Sequence, residues 1–205
     1  MRWINRKLND ESDDKLPSIV LSTEGITNSN VPNGNKIYLY DEISRNSVLN
    51  VSKQIDEVTR QLTLLKLIFN LTEVPAIELH ISSDGGDVSP ALSLVDKIKI
   101  NSIPIDTYCE GFVASAATLI SVAGRKRYLT KNSCLLLHQL SGGMWGPYET
   151  LNDEKNNLDL YMSMIKKIYL ENTKFKSKQL NELLKHDLCL TSQACLELGI
   201  VDVII

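Results

Sequence analysis

Neither sign of charge dominates this 205-residue chain. Its 22 Lys and Arg against 25 Asp and Glu leave a formal charge of -3, so it has no broad electrostatic field to attract a nucleic acid. No apolar stretch approaches the length that spans a bilayer, and no membrane partner is expected. The cysteines Cys109, Cys134, Cys189 and Cys195 form no CxxC pair. HExxH is missing too, and the three histidines lie far apart, so no metal site is expected. Nor is there a GxxxxGK[ST] loop to bind and spend ATP, and no cofactor is expected. The chain opens without an apolar leader, and unpaired thiols suit a reducing compartment, which points to the cytoplasm.

The chain does have enough apolar residue, 43%, for one compact domain with a sizeable core. Residues 1–35 stand apart: MRWINRKLNDESDDK is mostly polar, NSNVPNGN is turn-forming, and LPSIVLS between them suits a short strand or docking segment. This part reads as an extension. From residue 36 the pattern is orderly. KIYLY predicts a strand, and Val48, Val51, Ile55, Val58, Leu62, Leu65 and Phe69 predict the inner stripe of a long helix. AIELHIS alternates as a strand, and Val88, Leu92, Val95 and Ile98 line the next helix. IPIDTY is a further strand, GFVASAATLISVAG has helix-favouring composition, and CLLLHQL is another strand.

Strands alternating with helices argue for an α/β fold around a largely parallel sheet. The basic run Arg125-Lys126-Arg127 reads as a solvated loop. After the glycine-rich SGGMWGPYE, a long helix is expected near Glu149 with Leu158, Tyr161, Ile165 and Ile168 inward. Leu160, Met162, Met164 and Tyr169 lie beyond that stripe. A shorter helix follows, capped by Ser177 and anchored by Leu180, Leu183 and Leu184. In LTSQACLELGIVDVII, Thr191 is placed to cap a helix, Gly199 to end it, and IVDVII to return as a strand.

Candidate chemistry gathers at element ends, where βα turns present backbone N–H groups to ligands. Ser115 sits among Gly111, Ala114, Ala116 and Ala117. Small neighbours let a substrate approach a nucleophile, and they equally suit a packed helix. In SSDGG the consecutive glycines can aim amides into a cleft. The N–H groups of Gly86 and Ala116 are the natural pair for an oxyanion, although an ordinary tight turn accounts for the same string. His138, near the end of CLLLHQL, suits a general base or a satisfied structural histidine. His80 reads as a strand-face residue and His186 as solvated. Asp187 suits either an orienting carboxylate or a surface aspartate. The residues alone leave each alternative open.

The strings HISSDGG, GFVASAA, LLLHQLSGG and HDLCLTSQACLELGIVD, in that order, resemble the proteolytic subunit of the Clp protease over residues 36–205. The resemblance implies a crotonase-like fold with repeated β-β-α units, a head domain, and a protruding helical handle at about residues 144–184. It implies a serine endopeptidase that cuts unfolded polypeptides inside an oligomeric chamber. Ser115 falls on the family's nucleophile, His138 on its base, Asp187 on its triad aspartate, and Gly86 and Ala116 on its oxyanion donors. Partners implied are copies of the chain in heptameric rings stacked as a tetradecamer, mixed rings with a host Clp subunit, and a separate AAA+ unfoldase such as ClpX or ClpA, which alone uses ATP. Asp84 and Leu140 stand where the family has prolines. The family's N-terminal loop is not recognisable in residues 1–35, an extension that resembles divergent, phage-encoded members. Two rival readings are a catalytically silent Clp-like scaffold and an acyl-CoA enzyme of the related crotonase family.

Overall fold

The computed structural model describes residues 34–205. All but the last two residues of the expected extension, LPSIVLS included, lie outside the described residues. The elements run β1 (Lys36–Leu39), α1 (Arg45–Ile68), β2 (Ile77–Ser83), α2 (Val88–Ile100), β3 (Ile105–Ala114), α3 (Ala116–Ser121), β4 (Arg127–Leu129) and β5 (Cys134–Leu136). They continue with α4 (Tyr148–Asn172), α5 (Ser177–Leu183), β6 (Cys189–Thr191), α6 (Ser192–Glu197) and β7 (Val203–Ile204). Among the described helices none is long and apolar enough to cross a membrane.

The strands form one sheet in the order β1-β2-β3-β4-β7, all parallel, with β5 paired to the far half of β3 and β6 antiparallel to β5. Because β1, β2, β3 and β4 advance across the sheet in one direction, right-handed crossovers place their helices on one face. That face carries the core: Ile37 and Leu39 of β1, and Ile77, Leu79 and Ile81 of β2, are buried against the helices. The opposite face carries Tyr38, His80, Tyr108 and Tyr128, whose rings stack strand to strand at 4.9, 4.9 and 4.4 Å. His80 is therefore a strand-face residue, though a buried one, and its Nδ1 lies 2.8 Å from Glu110.

Several local expectations need correction. Burial along α1 stops at Leu62, so Leu65 and Phe69 are exposed although they keep the helical spacing. The helix outruns the packing partner α2, whose end is fixed beside Thr59 through Asn101. The basic run is a solvated loop only at Arg125 and Lys126, which are exposed and outside any strand, and both of its arginines are paired. Arg125 makes a two-pronged bond to Asp106 at 2.9 and 2.7 Å, and Arg127 opens β4 while clasping Asp202 at 2.9 and 2.6 Å. Each guanidinium finds a carboxylate whose planar geometry it matches.

Ser177 does not cap α5. The N-cap is Lys176, with no side-chain bond, and Ser177 is the first helical residue. Thr191 does cap α6, its hydroxyl accepting from the Ala194 amide, and Gly199 follows that helix at φ 67°. In IVDVII only Val203–Ile204 forms a strand, while Ile200 and Val201 fill the core. On α4, Ile165 is buried and Leu158, Tyr161 and Ile168 partly so, but the inner face also takes Met162 and Tyr169. Tyr169 is fully buried with its hydroxyl 2.7 Å from that of Thr118, and burial pushes its phenol pKa up. Leu160 and Met164 are exposed.

Candidate active site

β3 passes between two neighbours. Its residues Thr107–Cys109 pair with β4 and Phe112–Ala114 with β5. Gly111, between the two halves, has φ 64°, a turn of the backbone that L side chains resist. The bent strand then stops abruptly at Ser115, which has φ 54° and ψ -127° and leads into α3. Positive φ in a non-glycine residue costs about 1–3 kcal/mol and persists only where surroundings hold it. Here the Ser115 amide donates to the Leu136 carbonyl at 2.8 Å, and its carbonyl accepts from the Thr118 amide at 3.0 Å and hydroxyl at 2.6 Å. The strand-to-helix corner lifts the hydroxyl out of the sheet edge.

The same corner explains the double glycine after β2. A Cβ on Gly85 would stand 2.6 Å from Ser115 Cβ and 2.8 Å from the Ala114 carbonyl, so only glycine admits this approach. Gly86 bridges to Ile43 through its neighbours: the Ile43 amide donates to Gly85, and the Asp87 amide donates to Ile43, both at 2.7 Å. In that pattern the amide of Gly86 itself points away from Ile43. The Ala116 amide, in the first turn of α3, has no acceptor within the helix. Gly86, Ser115, Ala116 and His138 line one small cleft of ≈ 60 Å³, walled by Val88, Leu119, Leu140 and Ile165. The cleft opens into a groove of ≈ 580 Å³ between α1, α2 and α4, and the two share Gly86, Val88, Leu140 and Ser141.

His138 lies two residues past the end of β5, not within a strand. In the antiparallel β5–β6 ladder Leu136 pairs with Cys189, and the same register carried two residues further sets His138 opposite Asp187. The Gln139 amide, bonded to the Leu184 carbonyl at 2.7 Å, ties the two segments together. The side chains follow: His138 Nδ1 is 2.9 Å from Asp187 Oδ1, and Nε2 is 2.7 Å from Ser115 Oγ. With Nδ1–H donated to the carboxylate, Nε2 is left to accept the serine proton. The His138 side chain is 26% exposed and that of Asp187 is 77%, so solvent screens their ion pair.

Of the five residues singled out in the sequence, Gly86, Ser115, Ala116 and His138 thus line one cleft, and Asp187 stands behind His138, outside the lining. His186 is apart from it, exposed and 3.7 Å from Glu182. The residues alone did not single out Gly85, whose signal was its place in SSDGG, nor the anchoring of the Leu140 amide by the Met162 sulfur at 3.2 Å. Where the family has proline, this chain has an extra N–H, and the thioether accepts it. No group of three or more potential metal ligands occurs among the described residues.

Comparison with known proteins bears on the family and the fold. A family model described as Clp protease matches residues 32–205. Among solved structures, a point mutant of ClpP1 from Listeria monocytogenes superposes with a TM-score of 0.72 at 24% identity, covering 84% of this chain and 91% of that one.

Proposed function

The chain belongs to the Clp protease family, and from that premise we propose that it is a serine endopeptidase in which Ser115, His138 and Asp187 act as a triad. The observation that carries the reading is the unbroken relay of Oγ to Nε2 at 2.7 Å and Nδ1 to carboxylate at 2.9 Å. Ser115 Oγ attacks the peptide carbonyl as His138 takes its proton, and Asp187 holds the imidazole tautomer and stabilises the imidazolium. The amides of Gly86 and Ala116 receive the oxyanion of the tetrahedral intermediate. His138 then returns the proton to the leaving amine, and water repeats the sequence on the acyl-enzyme.

The substrate class follows from access. Handle residues Met144, Trp145 and Tyr148 are 50%, 99% and 73% exposed, an apolar surface that supports burial against copies of the chain. Heptameric rings stacked through the handle enclose the clefts, so that only unfolded segments reach Ser115. Threading is then the work of a separate AAA+ unfoldase, since this sequence has no phosphate-binding loop of its own.

The test is a serine-directed fluorophosphonate probe with a fluorogenic peptide. The parent protein is expected to label and to hydrolyse, and Ser115→Ala to lose both while keeping its circular dichroism spectrum. Labelling or hydrolysis that survives in Ser115→Ala refutes the assignment.

A further inference from the structure

The four cysteines are scattered in sequence, yet they fall on β3, β5, β6 and α6, where β5 pairs with β3 and with β6 and α6 packs on β5 and β6. All four are free, with Cys109 and Cys195 buried, Cys134 half-buried and Cys189 exposed. Burial raises the pKa of Cys109, Cys195 and Cys134, and a smaller upward push comes from Cys195, Cys134 and Cys189 respectively.

The outer two share a ladder face. Cys134 pairs with Thr191 and Leu136 with Cys189, and side chains two apart on a strand point the same way. Cys134 and Cys189 are therefore diagonal neighbours on the ladder whose continuation sets His138 against Asp187.

We propose that Cys134 and Cys189 form an oxidation site: a peroxide joins them as a disulfide, and closing that bond draws β6 along β5 and parts Asp187 from His138. The exposed Cys189 thiolate attacks the peroxide oxygen, breaking the O–O bond to give a sulfenic acid and, after protonation, water. Cys134 sulfur then attacks Cys189 sulfur, forming the S–S bond and expelling the hydroxyl as a second water. Two thiols lose two electrons and two protons, and one peroxide accepts them.

The coupling is geometric. Diagonal partners in an antiparallel pair lie about 7–8 Å apart, whereas a disulfide holds its Cα atoms within about 6.8 Å. Closing it moves the backbone by roughly 1 Å. β6 has three residues and, among the described residues, pairs with β5 and no other strand, so it is the element that yields. Asp187 is two residues away, and a misplacement of about 1 Å at a catalytic group costs about 100-fold in rate. The loss of turnover rests on the proposed role of the triad, while formation of the bond does not.

The experiment treats full-length protein with hydrogen peroxide, alkylates and digests it for mass spectrometry, and follows peptide hydrolysis before oxidation, after it, and after dithiothreitol. Expected are a Cys134–Cys189 cross-linked peptide and a roughly 100-fold loss of hydrolysis that the reductant restores. Cys134→Ser and Cys189→Ser should each keep activity under peroxide. No cross-link, a cross-link to Cys109 or Cys195 instead, or equal inactivation of the serine variants overturns the proposal. A Cys134–Cys189 bond without loss of turnover overturns the coupling. Untreated protein that neither hydrolyses nor labels refutes the peptidase reading, and the cross-link alone then decides the oxidation site.

Discussion

Replacing Gly85 with alanine puts a methyl group where the turn after β2 meets the candidate nucleophile. The new Cβ would stand 2.6 Å from Ser115 Cβ, 2.8 Å from the Ala114 carbonyl oxygen and 3.1 Å from the Ala116 nitrogen. Non-bonded carbons are at ease near about 3.5–4.0 Å, so relief requires a shift of roughly 1 Å. All three atoms belong to the corner that holds Ser115 and one oxyanion donor, so the shift falls on the reacting groups. A displacement of that size predicts a loss of about 100-fold in kcat/KM. Gly85 also sits at φ 102°, where alanine adds about 1–3 kcal/mol of strain. At about 2–4 °C per kcal/mol for a domain of this size, that lowers Tm by roughly 2–12 °C. Gly143 is the control: among the described residues no heavy atom lies within 4 Å of its added Cβ, and Gly143→Ala should stay within about twofold of the parent. Fluorogenic-peptide kinetics and thermal melts on both variants provide the readout. A folded Gly85→Ala protein with kcat/KM within about threefold of the parent refutes the positioning argument.

Asp187→Asn should lower kcat by about 10²–10⁴ with KM little changed, because the amide favours the wrong imidazole tautomer; an unchanged kcat removes Asp187 from the relay. Trp145→Ala with Tyr148→Ala should lower the mass of the assembly seen by analytical ultracentrifugation, since both rings are largely exposed on the single chain; an unchanged mass places the interface elsewhere. Partial burial raises the Asp202 pKa, but the hydrogen bonds and charge of Arg127 outweigh it and hold the carboxyl below its usual value. A folded pKa below the unfolded one means stability that is present above about pH 3.9 and lost as pH falls through the folded value. Asp202→Asn should therefore lower Tm at neutral pH and converge on the parent in acid, whereas an equal deficit at both ends contradicts the linkage.

The parts of the fold legible in the sequence are those where one local pattern answers to one surface. The alternation in AIELHIS reports a sheet with one apolar side, and the stripe from Val48 to Leu62 reports the single face that α1 buries. Where a pattern outlasts its partner, spacing misleads: Leu65 and Phe69 continue the stripe after α2 has ended. β4 was hidden for the opposite reason. Its opening residue Arg127 reads as solvated until the fold brings Asp202 to it, and no window of sequence contains both residues.

The candidate site divides along the same line. Ser115 and the glycines could be noticed because a small-residue corner and a double-glycine turn are local necessities of steric origin, visible as strings. The choice between nucleophile and packed helix residue was not local, and neither was the choice for His138 or Asp187. What joins them is the register of β5 with β3, which brings Ser115 to His138, and with β6, which brings His138 to Asp187, and the composition of these strands says nothing about which residues lie opposite each other. The register with β6 places a histidine 49 positions from its aspartate within 2.9 Å, and on the same ladder it sets Cys134 diagonally from Cys189. The His138–Asp187 contact and the thiol pair are thus consequences of one strand pairing, so the sliding of β6 proposed above would disturb both.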